Sequence, residues 1–318
     1  MARVAGCLAM VAAGVFASPK AGAAVIRLGA ALDYYNYSNA RFSSPGSVPS
    51  VPVFATLHTA EEDRLGQMLL GFNTSLSVPT GRGAANYQIS SIRLTLTNVN
   101  DEAFAYDPSY DSYRTYLPAS DPLHQSDADS GRPIEVHGVG FRNGYTRLSF
   151  SLSGNATPGF SENSPYGPTG LHQRNVFARS FGTPRADGDV SDSVGEAFET
   201  TPFAIGITDE VAPGRLVPSD TEFRFEMNLT DLSIRGYFQQ ALNDGALGLM
   251  VASLHASTQD GAQTYPRFYT REGALPELRP SIEITYQIIP EPSGSLLLVI
   301  ATGIIAAGRA WHRRDSLS

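Results

Sequence analysis

Ile92-Arg93-Leu94-Thr95-Leu96-Thr97 sets three large aliphatic side chains on alternate positions, with an arginine and two threonines between them. A period of two places Ile92, Leu94 and Leu96 on one face of a strand and the polar set on the other, the mark of a half-buried sheet. The pattern recurs at Leu148-Ser149-Phe150-Ser151-Leu152, at Phe223 to Leu229 and at Ile282-Glu283-Ile284-Thr285-Tyr286. Loops rich in Gly, Pro, Asp and Ser part these runs. Two antiparallel sheets packed face to face are therefore expected. One helix interrupts them: Asp231 or Ser233 can cap a turn that presents Ile234, Phe238 and Leu242, and Asn243-Asp244-Gly245 ends it. Ala246 to Leu254 then reads as a strand buried on both faces. The fold class is all-β, an antiparallel β-sandwich with one short helix.

Charge and composition narrow the function classes. The chain has 318 residues, with 31 acidic against 23 basic side chains. Such an acidic surface argues against general nucleic-acid binding, which needs basic side chains to neutralise phosphates. Cys7 is the single cysteine, which excludes a disulfide framework or a thiolate metal site. Lys20 is the single lysine and Trp311 the single tryptophan, and all three lie in the end segments.

Residues 1–24 read as a secretory signal peptide. Arg3 supplies the positive start, Val4 to Ala17 is uncharged and mostly apolar, and Ala21-Gly22-Ala23 offers small residues for cleavage before Ala24. At the other end, Pro290-Glu291-Pro292 precedes an uncharged run from Gly294 to Gly308, then Arg309, Trp311, Arg313 and Arg314. A transmembrane helix over about 294–311 is expected, with the arginines holding its end inside. Between them, 25–288 is expected to form one large domain, with a net charge of about −11 once the end segments are set aside.

The tail resembles the PEP-CTERM sorting signal of Gram-negative bacteria, and 289–318 carries its three parts in order. The resemblance implies an exosortase, an integral-membrane transpeptidase-like enzyme, as partner, with Pro290, Glu291 and Pro292 as its recognition element. It implies a protein anchored by its C-terminal helix before processing and then found at the cell surface or outside the cell. Within the body, Met68-Leu69-Leu70-Gly71-Phe72, the run Ile89 to Leu96, and Arg279-Pro280-Ser281-Ile282-Glu283-Ile284-Thr285-Tyr286 resemble DNRLRE-type modules. Those are jelly-roll-like domains of exported bacterial proteins, some of which bind carbohydrate. Arg93 and Ser91 depart from that pattern, which favours small apolar residues there.

Local catalytic motifs are missing from the sequence. No H-x-H, H-E-x-x-H, G-x-S-x-G or P-loop pattern occurs. The expected role is accordingly a non-enzymatic structural, adhesive or glycan-binding one. The alternative is a secreted carbohydrate-active hydrolase, which would need two carboxylates about 5–10 Å apart in a cleft. No cofactor is expected other than calcium, for which Asp187, Asp189 and Asp192 supply closely spaced oxygens in a flexible loop. Asp127-Ala128-Asp129-Ser130-Gly131 is a second, shorter acidic cluster. The other reading of both is a solvated acidic loop. Finally, Tyr106, Tyr110 and Tyr113 crowd one stretch with Asp107, Asp111 and Arg114 between them, a composition suited to stacking on a polysaccharide. The same tyrosines could instead pack over the end of the sandwich.

Overall fold

The computed structural model describes residues 22–37, 48–57, 62–145, 174–257, 264–273 and 275–289. Twelve strands run in chain order as β1 Ala24–Gly29, β2 Leu32–Tyr37, β3 Ser50–Pro52, β4 Gly66–Asn73, β5 Tyr87–Thr97, β6 Ile134–Phe141, β7 Val176–Arg179, β8 Ala204–Ile205 and β9 Glu222–Glu226, then β10 Ala246–Ser253, β11 Arg267–Tyr269 and β12 Ser281–Ile288. Among the described residues there is one α-helix, α1 Leu232–Asp244, between β9 and β10. The expected signal peptide, the alternating run at Leu148 and the expected C-terminal helix lie outside the described residues. Among the described residues no helix is long and apolar enough to cross a membrane.

The first sheet has the order β1-β12-β5-β9, antiparallel throughout. Ile92, Leu94 and Leu96 point inward from β5, and Ile282 and Ile284 join them from β12. Their register puts Arg93 opposite both Glu283 and Glu226 on the outer face. Arg93 bonds Glu226, and Arg27 of the edge strand bonds Glu283 at 2.5 Å. The arginine in a position the resemblance would fill with a small residue is thus part of a solvated charge ladder. Ile89 and Ile92 both face the core although three residues apart, because a bulge shifts the β5–β12 register between them and leaves Ser90 and Ser91 both outward.

The second sheet has the order β2-β4-β10-β6-β7, with β8 also on β6. Met68, Leu70 and Phe72 of β4 and Leu247, Leu249 and Val251 of β10 meet the first sheet in one hydrophobic cluster. The opposite face of the same strands, through Leu69 and Met250, packs on Val176, Ala178, Val190 and Phe198. The chain from 174 to 200, starting from the edge strand β7, therefore folds over this face as an extra layer. That layer is why β10 carries an uninterrupted apolar run, as expected of a strand covered on both faces. β3 and β11 form a separate two-stranded ribbon.

Helix α1 follows its sequence signals. Asp231 caps it, accepting the N–H of Ser233 at 2.7 Å and of Ile234 at 3.2 Å. Gly245 closes it at φ 81°, the left-handed position that glycine fills at least cost. Ile234, Phe238, Ala241 and Leu242 are its buried face.

Candidate functional site

The long connection between β5 and β6 gathers the tyrosines and aspartates at one edge of the body. Asp107 accepts the Ser109 N–H and lies 2.7 Å from the Ser109 hydroxyl, which also stands 2.9 Å from Asp129 Oδ2. Asp111 Oδ2 accepts from the Tyr116 hydroxyl at 3.0 Å and from Arg132 at 2.8 Å. Arg132 also bonds Asp127 at 2.5 Å and lies 4.2 Å from the centre of the Tyr116 ring. Burial pushes the Asp111 carboxyl up to about 6, even with Arg132 working against it. Asp107, Asp111 and Asp129 each bring an oxygen within 4.8 Å of the others. Among the described residues no other three acidic, histidine or cysteine side chains converge in this way.

The tyrosine triplet divides. Tyr106 is 4% exposed, its ring edge-on to Phe223 and its oxygen accepting the Thr208 N–H. Tyr113 is also buried, among Ala55, Tyr116 and Leu254. A ring enclosed on both faces has no surface to lay against a sugar. Of the three expected to stack, Tyr110 alone keeps an exposed ring, at 39%. Its hydroxyl donates to Glu199 at 2.8 Å and accepts the Thr200 N–H, and Glu199 is held in turn by Ser112 at 2.6 Å.

The 187–192 loop belongs to the extra layer. Asp187 and Asp189 both take Arg142, at 2.8 and 2.6 Å, and Asp187 also accepts from Arg185. Asp192 faces Asp63 instead, so the three carboxylates expected to share a calcium ion do not converge. Burial, then repulsion from Asp63, pushes the Asp192 carboxyl up to about 7. The folded state thus holds this proton more tightly than the unfolded chain, whose value is about 3.9. Its contribution is full below about pH 4 and lost as pH climbs through about 7. Asp192→Asn, which mimics the protonated form, is expected to match the parent at pH 3.5 and exceed it at pH 8. The gain is about 1–2 kcal/mol once partial exposure is allowed for. Urea unfolding at the two pH values checks this, and an equal change at both would refute it.

Beneath that layer lies a buried polar group with no signal in the sequence. Arg64, 1% exposed, donates to Glu135 from Nε at 2.9 Å and Nη2 at 2.7 Å. His137 stands 3.2 Å from the same carboxylate and 2.9 Å from the Ser180 hydroxyl. Serine, histidine and glutamate in contact are the residue types of a hydrolase triad. Here all three are sealed from solvent, and the guanidinium already takes the glutamate. Ser253 and His255 touch at 2.5 Å and are equally buried, with the His255 ring held down to about 3 by burial. His124 sits near the Leu117 carbonyl, while His58 and His172 lie outside the described residues.

A groove of about 800 Å³ opens between α1 and the second sheet, lined by Val139, Phe141, Tyr145, Phe181 and Tyr237 together with Arg179. The β6–β10 register, which pairs Met250 with His137, would next set Gly248 opposite Val139. The Tyr237 hydroxyl stands there instead, accepting the Val139 N–H at 3.1 Å and donating to the Gly248 carbonyl at 2.7 Å. It completes the ladder where the two strands splay apart. A second cavity of about 560 Å³, near Ala23, Gln88, Arg235 and Tyr286, is more polar. Neither cavity has an aspartate or glutamate in its lining. Compared with known proteins, the chain matches no family model and no curated protein sequence.

Proposed function

We propose that this chain is an exported protein, sorted by an exosortase through Pro290-Glu291-Pro292 and delivered to the cell surface or extracellular matrix, where its body serves as a structural or adhesive module. The supporting observation is where the body starts and stops. β1 begins at Ala24, at the end of the expected cleavage region Ala21 to Ala24, and pairs Ala24 with Tyr286 of β12. Among the described residues the backbone hydrogen bond furthest along the chain runs from Ile289 N–H to the Asn86 carbonyl. Cutting both address segments away would therefore leave the described strands whole but for at most Ala24 at the start of β1. Both cutting points would lie at the same end of one strand pair. Two prolines in the tripeptide cannot donate to a sheet ladder, which suits a segment that must stay open to a processing enzyme.

The two-sheet architecture is read as jelly-roll-like, because β4, β5, β6, β9 and β10 include successive crossings from one sheet to the other. Extracellular polysaccharide is the proposed contact, at the exposed Tyr110 ring. Intact-mass measurement of the native surface protein tests the sorting. A species running from Ala24 to near Pro290 is expected. With Pro290→Ala, Glu291→Ala and Pro292→Ala together, the full tail should remain and the chain should stay with the membranes. A mature wild-type protein that still contains Trp311 would overturn the proposal.

A further inference from the structure

The geometry points to a calcium site formed by Asp107, Asp111 and Asp129 at the Tyr/Asp edge of the body. Asp107 is 3% exposed, and its Oδ2 is buried with no hydrogen-bond partner, while its other oxygen is taken by Ser109. A buried carboxylate oxygen left without a donor is costly, so something must supply positive charge or a proton there. Arg132 does not: its ion pairs go to Asp111 and Asp127. Four carboxylates with one guanidinium leave a local charge of −3, which a divalent cation would reduce to −1.

The ligand chemistry selects the ion. Calcium takes oxygen ligands at about 2.3–2.6 Å in flexible geometry. Oxygens from Asp107, Asp111 and Asp129, all within 4.8 Å of one another, are close enough to share one such ion. Magnesium demands a strict octahedron and gives up its water reluctantly, which suits a cluster of loop carboxylates less well. Flexible coordination also lets loop carbonyls and water complete a shell of six to eight, which suits a site on a connection rather than on strands. An ion here would tie the segment around Asp107 to the segment around Asp129 and fix the loop that carries Tyr110.

Calorimetric titration of the full-length chain, stripped with a chelator and then titrated with CaCl₂, tests the site. A saturable one-site isotherm is expected, with at least a tenfold preference over MgCl₂. Asp107→Asn should weaken binding tenfold or more. Asp129→Asn, a change at an exposed position that leaves the packing alone, should do the same and guards against misfolding of the first variant. Asp187→Asn with Asp189→Asn should leave the isotherm as it was. A flat titration of the parent would overturn the site and leave protonation of Asp107 as the answer to its burial. Binding that survives Asp129→Asn, or that is lost with the Asp187 and Asp189 changes, would overturn it equally.

Discussion

Arg64→Met is expected to destabilise the protein by about 3–5 kcal/mol, the usual cost of removing one partner from a buried ion pair. The loss comes less from the bonds themselves than from what they leave behind. Arg64 donates twice to Glu135, once to the Val190 carbonyl and once to Ser193, each between 2.7 and 2.9 Å. Without it, Glu135 keeps only His137 beside a carboxylate that is otherwise out of water. Burial, the largest single influence, would raise the Glu135 carboxyl, but the Arg64 charge, His137 and the hydrogen bonds from both together outweigh it and hold it down to about 2. A depressed carboxyl stabilises the fold above its unfolded value of about 4.3, and that stabilisation is lost as pH falls towards 2. The penalty of Arg64→Met should therefore be largest at alkaline pH and shrink as pH falls, starting above about pH 4.3, because burial without Arg64 lets Glu135 protonate in the folded variant before it does in the unfolded chain. Replacing both partners by apolar residues, Arg64→Met with Glu135→Leu, should recover most of the loss, since neither charge then needs a partner. Urea unfolding of the two single variants and the double variant closes the cycle. A single-variant cost below 1 kcal/mol, or a double variant worse than the two singles summed, would contradict the argument.

That pair also marks where reading the sequence stops. Strand β5, strand β12, the doubly covered β10 and the capped helix α1 are visible because their patterns are local: period two, an unbroken apolar run, an Asp cap and a terminal glycine. The layer at 174–200 is not visible, because its packing residues are scattered among Asp, Gly and Ser that read as a solvated loop. Once that layer lies over the second sheet, Glu135 and His137 become buried charges and not the polar face of an exposed strand. Burial in irregular loops is equally silent. Tyr106, Tyr110 and Tyr113 are spaced four and three residues apart, as on one helix face, but the connection there is not an α-helix, and nothing in the spacing tells that two rings turn inward and one outward. The carboxylate cluster was half legible: both of its segments stand out as acidic. Only the folded connection brings Asp129 to Asp107 across the intervening chain.

Phe203→Ala is the second large effect, expected to cost about 3–5 kcal/mol as a core aromatic truncation. The ring is fully buried, stacked on Phe181 at 5.8 Å and edge-on to Tyr237 and Phe238. It therefore joins the second sheet to α1 and backs the groove between them. Its other face rests on Gly138 of β6, where an added Cβ would come within 2.7 Å of the ring. In sequence, a glycine inside a strand reads as a weak point. In the fold it is the gap into which Phe203 fits, so the two positions should be coupled. Gly138→Ala alone should cost about 1–3 kcal/mol by forcing the ring aside. Placed on top of Phe203→Ala, the same change should cost nothing or restore some stability, because the new methyl then enters the cavity and removes a strand glycine. Thermal and urea unfolding of the four proteins gives the coupling energy directly, expected at about 1 kcal/mol or more for residues in contact. Additive costs would mean that the sheet, not the ring, sets the need for glycine at 138.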